Sequence, residues 1–322
     1  MNRRAHEGGA RVKVLVSHEQ DDQVGARLLG EVPGLEVLRY DPAEPELSAE
    51  QRSADILIPP YRGSHRPLPL LQQLPDLRFV QLLTAGADEW SGDVPADVLL
   101  ATARGAVAGP VSEWVLSAIL ALYRQWPALV RYQDNATWAH RKVDADTLAS
   151  KRVLIVGAGA IGMAVAKRLP AFEAEATLVA RNARVGVHTP DELPALLGEH
   201  QVVVITTPLT PQTQGLVDAE FLAAMPDGAL LINAARGRIV DTDALVAELK
   251  AERIRAALDV TDPEPLPAGH PLWSSPGVII SPHMSRTVPG TAALCYGVAA
   301  EQIRAVLAGG TPPNVVVERR AK

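Results

Sequence analysis

At 322 residues and 34.3 kDa the chain is long for one small domain and suits two. It is 47% hydrophobic and 21% charged with a net charge of −6, a globular composition with no basic face to advertise nucleic acid or an anionic membrane. The single cysteine, Cys295, excludes a disulfide framework and a thiolate metal site, and reads as a small core residue on a helix.

The opening "MNRRAHEGGARVK" is polar, with no apolar stretch behind its arginine pair, so it does not read as a secretory signal. No run approaches the ~20 apolar residues of a membrane span, and a cytoplasmic location is the expectation. "RVKVLVS" (residues 11–17) predicts a first strand, and "LEVLRY", "ADILIPP" and "LRFVQLL" predict others, separated by helical or polar segments. Tyr61 and Arg62 in "PPYRGSHRP" are candidates to reach a cleft. "PVSEWVLSAILALYRQW" (110–126) predicts one long, largely buried helix started by Pro110 and Ser112. Its Trp114 and Trp126 suit either a two-fold dimer interface or internal core.

A second strand series begins at "KRVLIVG" (151–157) and continues through "ATLVA", "QVVVITTP", "GALLINAA", "IRAALDV" and "GVIISPH". Such short apolar runs suit parallel sheets buried on both faces. The tail "TAALCYGVAAEQIRAVLAGG" predicts a helix ended by Gly309 and Gly310, too short to be a domain alone. The economical arrangement returns it to the first domain. That gives a discontinuous domain of residues 1–107 and 285–322 around a central domain of 108–284, both of α/β class and doubly wound.

"VLIVGAGAIGMAVAKRL" places Gly157, Gly159 and Gly162 in G-x-G-x-x-G spacing, after an apolar strand and at the start of an apolar-periodic helix. In that context the pattern predicts dinucleotide binding. Gly157 permits the tight turn, Gly159 lets backbone approach a pyrophosphate, and Gly162 lets helix and strand pack closely. Ala160 and Ile161 open the helix whose amides face the phosphates. The next strand should end in a carboxylate for the ribose 2′-hydroxyl of NAD, but "ATLVARNARVG" gives Ala180 and then Arg181, with Asn182 and Arg184 behind. Loss of the carboxylate removes repulsion against a 2′-phosphate, and arginine pairs with phosphate in a forked geometry. NADP(H) is therefore the preferred cofactor and NAD(H) remains possible; the bland alternative is an exposed loop with ordinary surface arginines.

Three further segments end apolar runs, where open parallel sheets bind ligands: "NAARGRIVD" with Arg236, "ALDVTDPEPLP" with Asp259 and Glu264, and "IISPHMS" with His283. An arginine, a carboxylate and a general acid suit hydride transfer to a 2-oxo acid. Hydride arriving at the ketone carbon leaves charge on oxygen, which a protonated histidine can neutralise. A carboxylate beside the ring favours the imidazolium, and the arginine can hold the substrate carboxylate. Arg238, two residues on, is read as a structural or surface residue.

On these segments, together with "TTPLTPQTQGLVD" and "MPDGALLINAARGRIVD", the chain resembles the D-2-hydroxyacid dehydrogenases over nearly its whole length. The resemblance implies a flavodoxin-like substrate domain and a Rossmann-like cofactor domain, nearest to glyoxylate/hydroxypyruvate reductases. It implies that Arg236 binds substrate, His283 is the acid/base and Glu264 is its partner. It also implies that Asp259 contacts the nicotinamide carboxamide, and that Thr207, Pro208 and Ala234 line the cofactor cleft. "LLTAGADEW" (82–90) looks like the family's substrate-carboxylate loop, with amides near Ala85 and Gly86 facing substrate. Domain closure would bring it to Arg236. A departure is "HMSRTVPG", where Met284 and Arg286 follow the histidine; Arg286 could meet an acidic substrate tail or face solvent.

The ending "PPNVVVERRAK" suggests no C-terminal regulatory domain, unlike the longer phosphoglycerate dehydrogenases. Glu264 argues against the formate dehydrogenase branch. The expectation is thus an NADPH-dependent reductase of small 2-oxo acids, glyoxylate or hydroxypyruvate in class, without a metal and assembled as a homodimer. One alternative is an NAD-dependent dehydrogenase of a bulkier 2-oxo acid in biosynthesis, which a cofactor-preference assay separates. Another is a dinucleotide-sensing interaction protein on the same fold, which turnover abolished by His283→Ala would tell against.

Overall fold

The computed structural model of the chain describes residues 11–62, 68–90 and 92–317; the first ten residues, read above as a polar lead-in, lie outside them. Contacts divide the chain into one unit of Met1–Val107 with Pro289–Lys322 and a second of Ala108–Val288. The second crossing falls a few residues past the expected 284/285 boundary.

In chain order, unit 1 begins with β1 (Val12–Ser17), α1 (Gln23–Gly30), β2 (Leu35–Tyr40), β3 (Ile56–Ile58), β4 (Phe79–Gln81) and β5 (Leu99–Ala101). These strands are short and nearly continuous in apolar residues, as strands covered on both faces are.

Unit 2 opens with α2 (Ala108–Tyr123) and α3 (Trp126–Asp134), not one helix through residue 126. Pro127 explains the break. It offers no N–H to the Tyr123 carbonyl four residues back, so the ladder stops there and Gln125 turns left-handed at φ 57°. The inward face of α2, from Val115 to Tyr123, is buried in the unit 2 core, and Trp114 packs against the same core. There follow β6 (Arg152–Val156), α4 (Ala160–Arg168), β7 (Glu175–Val179), β8 (Val187–His188), α5 (Leu193–Leu197), β9 (Val202–Ile205), α6 (Ala219–Ala224), β10 (Leu230–Asn233), α7 (Thr242–Lys250), β11 (Arg255–Leu258) and β12 (Val278–Ile280). They form a parallel sheet ordered β12-β11-β10-β9-β6-β7-β8.

Period-2 alternation sends Leu154, Val156, Val203 and Ile205 to one core cluster and Val153, Ile155, Val202 and Val204 to another. Both faces are apolar, so the sheet is a middle layer between helices. The strand order reverses between β6 and β9, and a crevice opens at that switch point, outside the carboxyl ends of the strands.

The chain then returns to unit 1 as α8 (Thr291–Leu307) and β13 (Val315–Val317), completing a sheet ordered β13-β5-β4-β3-β1-β2. Apart from antiparallel β13, this is the flavodoxin-like order. Buried Gln302 donates to the Thr102 carbonyl (2.8 Å) and accepts from the Asn314 amide (3.1 Å), tying α8 to the ends of β5 and β13. No helix among the described residues is long and apolar enough to cross a membrane.

Helices α1 and α8 meet at Gly25, where an added Cβ would lie 2.2 Å from the Tyr296 ring. Gly25→Ala is therefore expected to destabilise unit 1 by about 1–3 kcal/mol through overpacking. A thermal melt checks this, and an unchanged Tm would show that Tyr296 can swing away.

Candidate active site

The glycine loop between β6 and α4 is built by contact. Gly157 sits at φ +120°, and a Cβ there would lie 2.6 Å from the Thr206 carbonyl carbon and the Thr207 nitrogen. A Cβ on Gly162 would lie 2.0 Å from the Gly157 carbonyl oxygen. The Thr206 hydroxyl donates to that same oxygen (2.8 Å). Gly159, by contrast, borders open space. Two glycines thus allow the backbone to close on itself, and the third leaves room above it, which is the shape a pyrophosphate needs. Ala160, Ile161 and Gly162 form the first turn of α4, which no side chain caps.

Beside the loop lies a cavity of about 380 Å³, within the range of ligand pockets. It gathers Gly157, Gly159, Arg181, Asn182, Arg184, Thr207 and Pro208 from the sequence expectation, and among the described residues no Asp or Glu lines it. Arg184 donates to the Ala158 carbonyl (2.6 Å), bracing the loop from outside. Arg181 is exposed. The opposite wall is a turn shaped by Thr213, whose hydroxyl accepts from the Thr210 amide (2.8 Å) and donates to the Pro208 carbonyl (2.7 Å). A nucleotide fits this donor set. Ala234 and Asp259 do not line the cavity; they follow β10 and β11 further along the sheet.

Arg236 is presented by a turn that Asn233 holds from beneath. Buried Asn233 accepts from the Ala235 amide (3.0 Å) and donates to the Arg236 carbonyl (3.0 Å). The Arg236 guanidinium donates to the Ala235 carbonyl (2.8 Å). Next to it, a Cβ on Gly237 would sit 1.9 Å from the Thr261 carbonyl oxygen, so the arginine turn rests directly on the segment leading to Glu264. Arg238 is exposed, a surface residue.

His283 Nδ1 lies 2.7 Å from Glu264 Oε1, with both side chains 42% exposed and hence reachable. Burial pushes the Glu264 carboxyl up, but the His283 hydrogen bond, the His283 charge and the Arg236 charge outweigh it and hold the group below its ordinary range. His283 itself sits at φ +53°, a left-handed conformation that is costly for a residue with a Cβ and clusters at functional sites. Its amide donates to the Asp259 carbonyl (2.7 Å). Asp259 Oδ1 accepts from the Ser281 hydroxyl (2.6 Å) and the amides of Met284 (2.8 Å) and Ser285 (3.0 Å). One buried residue thus organises the histidine loop, and Oδ2 accepts from the Ser285 amide at 3.1 Å. Arg286 is half-buried.

In unit 1, Ala85 is exposed and Gly86 half-buried in the loop after β4. The Thr84 hydroxyl closes that loop by donating to the Gly86 carbonyl (2.7 Å). Asn233 and Ser281 are site-building residues that sequence reasoning missed. Only Asn233, a polar residue ending a buried apolar run, carried a readable signal. Among the described residues no three His, Cys, Asp or Glu side chains cluster to hold a metal ion.

Comparison with known proteins agrees with this geometry. Residues 116–285 match the model of the D-isomer specific 2-hydroxyacid dehydrogenase NAD-binding domain. The chain is 33% identical over 262 residues to the glyoxylate reductase of Thermofilum pendens, covering 77% of each. It is also 33% identical to the D-3-phosphoglycerate dehydrogenase of Mycobacterium tuberculosis, covering 77% of this chain and 48% of that one. A D-isomer specific 2-hydroxyacid dehydrogenase from Xanthobacter autotrophicus Py2, solved with NADPH and MES, superposes with a TM-score of 0.82 at 30% identity, covering 96% of this chain and 98% of that one. The chain belongs to the D-isomer specific 2-hydroxyacid dehydrogenase family, as an NAD(P)-dependent oxidoreductase.

Proposed function

We propose that the chain is an NADPH-dependent reductase of small 2-oxo acids, of the glyoxylate and hydroxypyruvate class. The observation that carries the cofactor choice is the cavity beyond β7, with Arg181, Asn182 and Arg184 on its wall and no carboxylate. An acidic residue there would repel a 2′-phosphate, whereas an exposed guanidinium attracts one. The names of relatives, a glyoxylate reductase and a dehydrogenase solved with NADPH, support the same reading.

The bound nicotinamide would supply hydride to C2 of the 2-oxo acid. Arg236 holds the substrate carboxylate in a forked pair. His283, protonated and oriented by Glu264, gives its proton to the carbonyl oxygen as the C–H bond forms, so ketone becomes alcohol and imidazolium becomes imidazole. Asp259 keeps the histidine loop in place and offers Oδ2 to the nicotinamide carboxamide.

The test is reduced-cofactor consumption with NADPH and NADH against a panel of 2-oxo acids. Arg181→Ala is expected to raise KM for NADPH roughly 10- to 100-fold, as the loss of a charged hydrogen bond of about 1.5–3 kcal/mol implies. KM for NADH should change little. A wild-type preference for NADH would sink the 2′-phosphate argument and leave Arg236, Glu264 and His283 standing. We also place a homodimer contact at α3 and the segment behind it, where Trp126 and Val130 are exposed and Trp138 is 89% exposed. Burying them against a second copy would remove that apolar surface from water.

A further inference from the structure

Ala158, between the first two glycines of the loop, is gripped from two sides. It is buried; its amide donates to the Val179 carbonyl at the end of β7 (3.2 Å), and its carbonyl accepts from the Arg184 guanidinium (2.6 Å). Arg184 reaches across from the loop between β7 and β8. That loop is a firm base. The Ala180 amide donates to the His188 carbonyl (2.9 Å), and the Val187 amide donates to the carbonyl of Arg184 itself (2.9 Å). Ala158, Gly159 and Arg184 all belong to unit 2 and line the same cavity.

The Ala158 carbonyl and the Gly159 N–H are the two ends of one peptide group. A trans peptide is planar, so whatever fixes its oxygen also fixes its N–H, which points the opposite way. Glycine on either side of Ala158 leaves this peptide free to rotate unless something holds it. The Gly159 amide has no acceptor among the described residues, and an added Cβ at Gly159 would meet nothing within 4 Å. It is an unspent donor beside open space, as a pyrophosphate oxygen requires. A guanidinium on the carbonyl also polarises the peptide and strengthens its N–H as a donor. Water can satisfy a carbonyl at a cavity wall. What a tethered arginine adds is direction.

We propose that Arg184 is a positioning residue for the cofactor pyrophosphate, aiming the Gly159 amide through the Ala158 carbonyl. It therefore serves NADPH and NADH alike, while Arg181 reads the 2′-phosphate. This deepens the cofactor reading above, yet it requires only a dinucleotide with a pyrophosphate, whichever of the two is preferred.

The experiment measures dissociation constants for NADPH and NADH from reduced-nicotinamide fluorescence. Adenosine 2′-monophosphate, which has the 2′-phosphate and no pyrophosphate, is measured by its displacement of NADPH. Arg184→Ala should raise Kd for both dinucleotides by the same factor, about 10-fold, and leave adenosine 2′-monophosphate within about 2-fold. Arg184→Lys, which keeps a donor and nearly the same reach, should restore most of the NADH affinity. Arg181→Ala should give the converse, weakening NADPH and adenosine 2′-monophosphate and sparing NADH. If Arg184→Ala spares NADH, the positioning role is overturned, whatever happens to the other two ligands. Equal weakening of all three would also overturn it, because that is what collapse of the whole loop would do. Wild-type enzyme that prefers NADH and leaves adenosine 2′-monophosphate unbound would sink the 2′-phosphate reading alone. The NADH affinity of Arg184→Ala would then still decide the positioning role, for it if weakened and against it if unchanged.

Discussion

His283→Gln is expected to lower kcat for 2-oxo acid reduction by about 10²–10⁴-fold, the usual share of a general acid. Cofactor affinity should not change, because the nucleotide cavity is built from residues 156–216 and excludes the histidine loop. Pre-steady-state cofactor binding and turnover measured on one preparation separate the two effects. Gln keeps a Cβ at a left-handed φ, so backbone cost is matched between variant and wild type. A kcat within 3-fold of wild type would place the proton donor elsewhere.

Glu264→Gln adds a pH signature to the same argument. The Glu264 carboxyl is held below its ordinary 4.5, so what its ion pair contributes is fully present above that value. The contribution is lost only as pH falls through the lower folded value. Wild-type ring orientation should therefore persist into mildly acid solution. Glu264→Gln removes the group that titrates there, so the variant's acid limb should no longer follow the wild-type carboxylate, and an unmoved acid limb would show that Glu264 does not set it.

Gly237→Ala should be nearly as damaging, although it removes no functional group. The new methyl would lie 1.9 Å from the Thr261 oxygen, 2.1 Å from its carbonyl carbon and 2.7 Å from the Asp262 nitrogen. All three are backbone atoms, which cannot rotate aside as a side chain can. Either the Arg236 turn or the segment leading to Glu264 must move. A displacement of about 1 Å between reacting groups can cost ~10²-fold, and kcat/KM should fall by that order. Overpacking of about 1–3 kcal/mol should lower the melting temperature as well. Arg238→Ala is the control: exposed and one residue on, it should change kcat/KM less than 2-fold. Wild-type kcat/KM in Gly237→Ala would mean that the two segments can slide without consequence.

The contrast between these residues shows what the sequence discloses. Central strands such as β6, β9 and β10 were legible because both faces are buried and their apolar runs are uninterrupted. Edge strand β8 is only two residues long, half-buried and ends in a histidine, so it carries no such run. The break before α3 hung on Pro127, whose effect falls four residues upstream, inside a stretch that otherwise reads as helix. In the site, Arg236, Glu264 and His283 were legible because their own chemistry names the reaction. Asn233 acts through a partner that only the fold brings near, the carbonyl of Arg236. Gly237 resembles any other turn glycine until Thr261 is seen against it.

The return of α8 to unit 1 has a consequence for how the chain is made. Tyr296 packs on Gly25 and bonds Asp22, and Gln302 bonds Thr102, so the first unit lacks a helix and a strand until the segment after unit 2 has left the ribosome. The second unit, Ala108–Val288, is encoded without interruption and has all its strands in hand earlier. At ~5–20 residues per second, the N-terminal segment waits ~10–40 s for its partner while the middle of the chain is synthesised. The part of the protein translated first is therefore the part that finishes folding last, and its apolar strands are what a nascent-chain chaperone would meet.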